Sequence, residues 1–201
     1  DFEGVDIQDG INVCALLDNN EERLHIMGDA HPHGTGIIGN IAAKINNEKG
    51  IAGIVDECTV IPYKVEDTAC SDFANSGASI LKALQLAYED GCDVCNISMG
   101  SIGTPSDEEI KIFNSVVNSV TSNGMIIVAA TGNEGEVDKY GDLANGNIYP
   151  ASCKNVIGVG AVEPDCEPLH LIVDDATGLY GEIGNPQHFQ VYGEINTYTF
   201  D

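Results

Sequence analysis

The chain is poor in cations: eight lysines and arginines stand against 32 aspartates and glutamates, a formal net charge of −24 at neutral pH. Such a surface repels a phosphate backbone and anionic lipid headgroups, so neither nucleic acid nor a membrane surface is expected as a partner. The acidity itself reads as a solvated, self-repelling surface and carries no substrate preference. No apolar stretch approaches the roughly 18 residues of a membrane helix. The opening Asp1-Phe2-Glu3-Gly4 lacks a basic segment followed by an apolar run, so a soluble chain is expected, with any signal or propeptide outside it.

Metal-binding patterns are equally scarce. Cys92 and Cys95 form a lone C-x-x-C, without a second close pair or a histidine pair at zinc-finger spacing, and no metal ligand is assigned. The seven cysteines are odd in number, so at least one is free or pairs outside the chain. Cys14 and Cys95 fall in apolar runs, where a cysteine behaves as a small hydrophobe, whereas Cys58, Cys70, Cys153 and Cys166 are loop cysteines open to disulfide formation. Repeats, low-complexity tracts and dividing linkers are missing as well. With 43% apolar content, the 201 residues are expected to form a single domain spanning 1–201.

What is present is alternation. The apolar runs Ile11 to Leu17, Met125 to Ala130 and Val156 to Val162 suit strands covered on both faces, and Thr59 to Val65 and Asp93 to Ser98 read as further strands. Between them lie helical patterns. One starts at His33 and ends near Asn46-Asn47. A second covers Ser79 to Tyr88, with Ile80, Leu81, Leu84 and Ala87 on one face and Gly91 as its stop. A third opens with Ser106 and Glu109 at capping-box spacing, continues through Ile110, Phe113, Val116, Val117 and Val120, and ends in a left-handed turn at Asn123-Gly124. The stretch from Glu163 to His188 is rich in turn formers and reads as loops between weak strands. The alternation argues for an α/β domain with a largely parallel sheet and helices on both sides.

Ligands of such sheets gather at the carboxyl ends of the strands. Asp18 closes the first strand, His33 opens the next helix and Ser98 ends a central strand. Asn133 follows the strand from Met125 to Ala130 in the turn Thr131-Gly132-Asn133-Glu134-Gly135. A carboxylate, an imidazole and an amide can converge there.

These residues carry a family resemblance. His33-Gly34-Thr35 with Gly39 after it is similar to the histidine motif of the subtilisin-like serine peptidases, the subtilases, and Ala129-Ala130-Thr131-Gly132-Asn133 resembles their oxyanion-asparagine motif. Gly50 to Val55, Val60 to Val65, Asp93 to Gly100, Tyr149-Pro150-Ala151 and Val156 to Val162 look like family counterparts in the same order. Phe189 to Thr197 is similar to the segment that shortly precedes the family's Gly-Thr-Ser-Met-Ala motif, which does not occur in these 201 residues.

The resemblance implies a subtilisin-like three-layer fold with a largely parallel central sheet and its C-terminal part missing. It implies a serine endopeptidase that works by acyl transfer, with His33 as general base, Asp18 as its orienting carboxylate and Asn133 as oxyanion donor. Ser98, Met99 and Gly100, with Ala130, Thr131 and Gly132, are expected to line the substrate cleft, the first three pairing with an extended peptide in strand fashion. Asp29 is the fallback acid, and His31 reads as a loop residue. No serine present sits in the nucleophile's context; Ser71, Ser76, Ser79, Ser106 and the others read as loop, cap or helix-surface residues. The nucleophile is therefore expected outside this chain, on a C-terminal segment or fragment, and the chain alone is expected to be inactive.

Asn19-Asn20 follow Asp18 where the family usually has a small hydroxyl residue and glycine. This departure supports an alternative, a pseudopeptidase that keeps a peptide-binding cleft without hydrolysis. No cofactor is required. Asn46 to Ile51 resembles a loop that binds structural calcium in some subtilases through amide and backbone oxygens, and also reads as an ordinary helix-terminating turn. Expected partners are a peptide or protein substrate and a propeptide, and the expected location is extracellular.

Overall fold

In the computed structural model, residues 2–28, 32–72, 74, 76–100, 105–131 and 148–160 are described, with the backbone of two further short strands at 170–171 and 189–190. The chain falls into two units, Asp1–Ala87 and Tyr88–Asp201.

The first unit departs from the sequence reading at its first apolar run. Only Ile11–Asn12 is a strand, β2, following β1 at Asp6–Ile7; Val13–Leu17 turns into a short helix, α1. The expected strand to Leu17 is thus corrected, and Asn12 is the reason. Its side chain accepts from the Ala15 N–H at 3.1 Å and so caps a helix start that would otherwise leave amides unpaired. Val13, Cys14 and Ala15 are fully buried by this turn.

A short 3-10 turn follows at Glu21–Arg23, and then α2 at His33–Ala42. The helix ends earlier than the pattern suggested. The N–H groups of Gly53, Ile54 and Val55 donate to the carbonyls of Ala43, Asn40 and Ile41, pairing the last turn from a neighbouring segment. That approach requires Gly53, because a Cβ there would run into the backbone of Ala42 and Ala43.

Thr59 to Val65 is broken by Ile61-Pro62 into β3 at Thr59–Val60 and β4 at Tyr63–Lys64, since proline has no N–H for a ladder. β1 pairs with β3 and β2 with β4, both parallel. Helix α3, Gly77–Glu89, buries Ile80, Leu84 and Ala87 as its spacing required.

The second unit follows the predicted pattern. Strand β5 is Val94–Ile97, α4 is Asp107–Thr121, β6 is Ile126–Ala130 and β7 is Val156–Val159; the strands form a parallel sheet in the order β5-β6-β7. Ser106 and Glu109 make the full capping box, and Gly124 takes the left-handed φ of 103° that ends the helix region. Phe113, Val117 and Val120 of α4 join Ile97, Ile127, Ala129, Tyr149 and Val156 in the core. Ile126, Ile157 and Val159, on the sheet's other face, are 49%, 48% and 50% exposed. Strands β8, His170–Leu171, and β9, Phe189–Gln190, pair antiparallel.

Candidate active site

Asp18 ends α1 rather than a strand, as the helix's C-cap, with its N–H donating to the Cys14 carbonyl at 3.0 Å. Its carboxylate is held from a distant segment. The Ser71 N–H donates to Oδ2 at 2.7 Å and the Ser71 hydroxyl to Oδ1 at 2.6 Å. The hydroxyl first, and the amide second, keep the Asp18 carboxyl below the usual carboxylate range, so it is a charged acceptor at neutral pH.

The segment that presents Ser71 is fixed by a polar network at the other end of α1. Asp67 is 6% exposed and accepts from Arg23 Nη2 at 2.9 and 2.8 Å, from Asn12 Nδ2 at 2.7 Å and from the Ala69 N–H at 3.0 Å. The Lys64 ammonium stands 3.5 Å away. The Arg23 guanidinium above all holds the Asp67 carboxyl far below its ordinary value against the opposing effect of burial. Sequence reasoning missed this cluster. Its one available signal was that Arg23 is the only arginine in a chain rich in carboxylates.

His33 is the first residue of α2 and is exposed, with Pro32 before it making no side-chain cap. Asp18 and His33 lie in the same unit. Among the described residues no hydrogen bond joins the two; the carboxylate bonds Ser71 instead. Asp29 and His31 lie outside the described residues.

Ser98, Met99 and Gly100 leave the carboxyl end of β5, all three half-buried. The Ser98 hydroxyl accepts from Asn96 Nδ2 at 3.0 Å. Gly100 is packed so closely that a Cβ would strike the Ile148 side chain and lie 3.2 Å from the Tyr149 carbonyl oxygen. Ala130 ends β6, and Thr131 after it donates its N–H and hydroxyl to the Val159 carbonyl at 3.0 and 3.2 Å. This anchors the chain just before Gly132 and Asn133, which lie outside the described residues.

In the loop 46–51 the turn itself engages part of the polar set that the calcium resemblance singles out. Asn47 Oδ1 accepts from the Lys49 N–H at 3.1 Å, and the Lys49 ammonium lies in the same turn, paired with Glu3 at 2.6 Å. Asn46 and Glu48 take left-handed φ values of 58°, as in an ordinary irregular turn. Among the described residues no three His, Cys, Asp or Glu side chains converge as a metal site. A cleft of about 380 Å³ in the first unit, lined by residues including Gly4, Asp6, Lys44, Asp56 and Thr59, includes neither Asp18 nor His33.

Comparison with known proteins adds an independent line. The family model described as Subtilase family matches residues 17–193. Subtilisin Savinase of Lederbergia lenta is 36% identical over 135 residues, which cover 67% of this chain and 44% of that protein. Among solved structures, the epidermin leader peptide processing serine protease of Staphylococcus aureus is similar with a TM-score of 0.63 at 23% identity, covering 81% of this chain and 43% of that one. The nisin leader peptidase of Lactococcus lactis is similar with a TM-score of 0.59 at 23% identity, covering 81% of this chain and 52% of that one. The chain thus spans about half the length of the proteins it resembles.

Proposed function

Because the chain belongs to the subtilase family, we propose that it carries the base, the orienting acid and the oxyanion donor of a serine endopeptidase whose nucleophile lies outside residues 1–201. The fold is the subtilisin-like α/β fold, and in that setting His33 takes the proton of the attacking serine. Asp18 fixes the imidazole's tautomer and stabilises the imidazolium, and the Asn133 amide donates to the tetrahedral oxyanion. Ser98 to Gly100 and Ala130 to Gly132 border the extended peptide. Substrates are peptides or proteins. A propeptide is the proposed intramolecular partner, and extracellular action is the proposed setting.

The observation that carries this reading is the charge state and tethering of Asp18. Ser71 holds both oxygens of the Asp18 carboxylate, and the same unit presents an exposed His33 at a helix start, which supports pairing the two as orienting acid and base.

The experiment uses the full-length protein, downstream sequence included. Hydrolysis of a chromogenic peptide is measured with labelling by a serine-directed fluorophosphonate, for the native enzyme and for His33→Ala and Asp18→Asn. Hydrolysis with stoichiometric serine labelling, and losses of at least a thousandfold in both variants, is the expected result. A full-length chain that binds peptide but neither hydrolyses it nor takes the label is a pseudopeptidase instead.

A further inference from the structure

The chain around Asp18 cannot hold its own carboxylate. The N–H groups of Asn19 and Asn20 are committed to the carbonyls of Leu16 at 3.2 Å and Ala15 at 2.8 Å, and Asn19 takes a left-handed φ of 54° that turns the backbone out of the helix. The amides nearest the carboxylate are thus spent on α1 itself. A carboxylate that must orient an imidazole needs fixed donors, because an unheld one rotates about its side-chain bonds and solvates.

Those donors come from Ser71, 53 residues away in sequence, whose N–H and hydroxyl reach the two oxygens separately. One donor on each oxygen fixes the plane of the carboxylate and leaves each oxygen a second lone pair for another partner. Ser71 is itself held. Its hydroxyl oxygen accepts from the Ala74 N–H at 3.2 Å, and the Cys14 thiol at the start of α1 donates to the Ala74 carbonyl at 3.0 Å. Upstream, the Cys70 N–H donates to the Asp67 carbonyl at 2.9 Å, and the Asp67 side chain is locked to Asn12 and Arg23. Residues 67–72 and Ala74 are therefore fastened to α1 as a strap, attached at Asn12, Cys14 and Asp18.

We propose that Ser71 is the positioning residue for the Asp18 carboxylate during peptide hydrolysis. The inference rests on the reading of Asp18 as the acid that orients His33. On the strap, the Cys70 thiol feels the Asp18 charge: it is raised chiefly by burial and then by the charges of Asp67 and Asp18, with Arg23 and Lys64 offsetting part of the effect, and Asp72 follows Ser71 on the same segment. Ser71→Ala leaves these groups in place. It removes one neutralising donor, so the carboxylate presents more charge and favours the His33 imidazolium.

The test is the pH dependence of kcat and KM for full-length Ser71→Ala, Ser71→Thr and Asp18→Asn, with rates normalised to active sites titrated by the fluorophosphonate. Ser71→Ala is expected to lower kcat about tenfold, the effect of losing one hydrogen bond to a charged group. KM stays within about twofold, because the change is made away from the substrate. The acid limb of kcat/KM moves to higher pH, and Ser71→Thr, which keeps the hydroxyl, restores both kcat and the limb. If Asp18→Asn abolishes hydrolysis while Ser71→Ala keeps the native kcat and acid limb, or loses rate without moving the limb, the positioning role is overturned and the reading of Asp18 stands. If Asp18→Asn hydrolyses at the native rate, the reading of Asp18 falls and takes the inference with it. Should Ser71→Ala yield too little folded enzyme, Ser71→Gly is read in its place: a lower rate with the limb moved to higher pH supports the hydroxyl's role, and a native rate and limb overturn it.

Discussion

Asn12 and Asp67 are joined across 55 residues by a buried hydrogen bond of 2.7 Å, and the same Asn12 caps helix α1 through its other side-chain atom. One amide thereby decides both where β2 stops and where the strap that carries Ser71 begins. Asp67 cannot be removed without exposing that arrangement. Asp67→Asn is expected to destabilise the protein by about 1–2 kcal/mol in urea titrations at pH 7, because it removes the charge of a buried carboxylate that accepts from a half-buried Arg23 guanidinium. A change below about 0.5 kcal/mol contradicts the network's structural weight.

The same carboxylate sets a pH dependence. Its folded pKa is depressed, so its contribution is complete above the unfolded value of about 3.9 and is lost as pH falls below it toward the folded value. Between pH 7 and pH 3, Asp67 alone should cost the native state about 1 kcal/mol. Asp18 is shifted in the same direction by Ser71 and adds to the loss with the same sign. Unfolding free energies measured at pH 7, 5, 4 and 3 should fall less steeply in Asp67→Asn than in the native protein. Parallel curves would show that the folded pKa of Asp67 is ordinary.

How far the sequence revealed this fold depends on the range of the interactions involved. The capping box of α4 was legible because Ser106 and Glu109 answer each other within one turn, and β5, β6 and α3 were legible from apolar spacing alone. Helix α1 was not, because the apolar run from Ile11 to Leu17 fits a strand equally well until Asn12 is fixed by Asp67. His33 was recognisable from its neighbours, and the structure places it at the start of a helix as expected. Ser71 was passed over as a loop serine. Nothing near it in sequence marks it; only the folded strap brings it to Asp18.

Gly100 tests the proposed cleft. An added methyl has to displace the Ile148 side chain and the Tyr149 carbonyl, so Gly100→Ala should cost about 1–2 kcal/mol through overpacking. If the backbone of Ser98 to Gly100 pairs with substrate, KM should also rise several-fold at little cost in kcat, since strand-like pairing supplies binding more than chemistry. Stability and KM measured on one preparation separate the two effects. An unchanged KM in a destabilised variant removes this segment from the substrate path.

The loop at 46–51 makes a calcium prediction. Asn47 serves a turn in which the Lys49 ammonium, paired with Glu3, supplies the local positive charge. Asn47→Ala should therefore lower the melting temperature by the same amount in calcium and in EGTA. A ligand-binding residue would behave differently, because its loss removes the mass-action stabilisation that only the calcium sample enjoys. A larger drop in calcium than in EGTA assigns the loop to a cation after all.

Thiol chemistry provides the last test, because it reports on both units in a single experiment. Burial pushes the Cys14 thiol up to about 12, and the Cys153 and Cys95 thiols up to about 11, with Cys92 contributing at Cys95. At pH 8 such thiols are thiolates only to about one part in a thousand or less, and the thiolate is the species that alkylates. Cys58 is half-buried rather than enclosed. Iodoacetamide followed by peptide mass mapping should modify Cys58 in the native protein while Cys14, Cys95 and Cys153 react only after denaturation. Early modification of Cys14 in particular would mean that α1 opens in solution. In that case the strap holding Ser71 against Asp18 would not persist either, since the Cys14 thiol donates to the same Ala74 whose N–H holds the Ser71 hydroxyl.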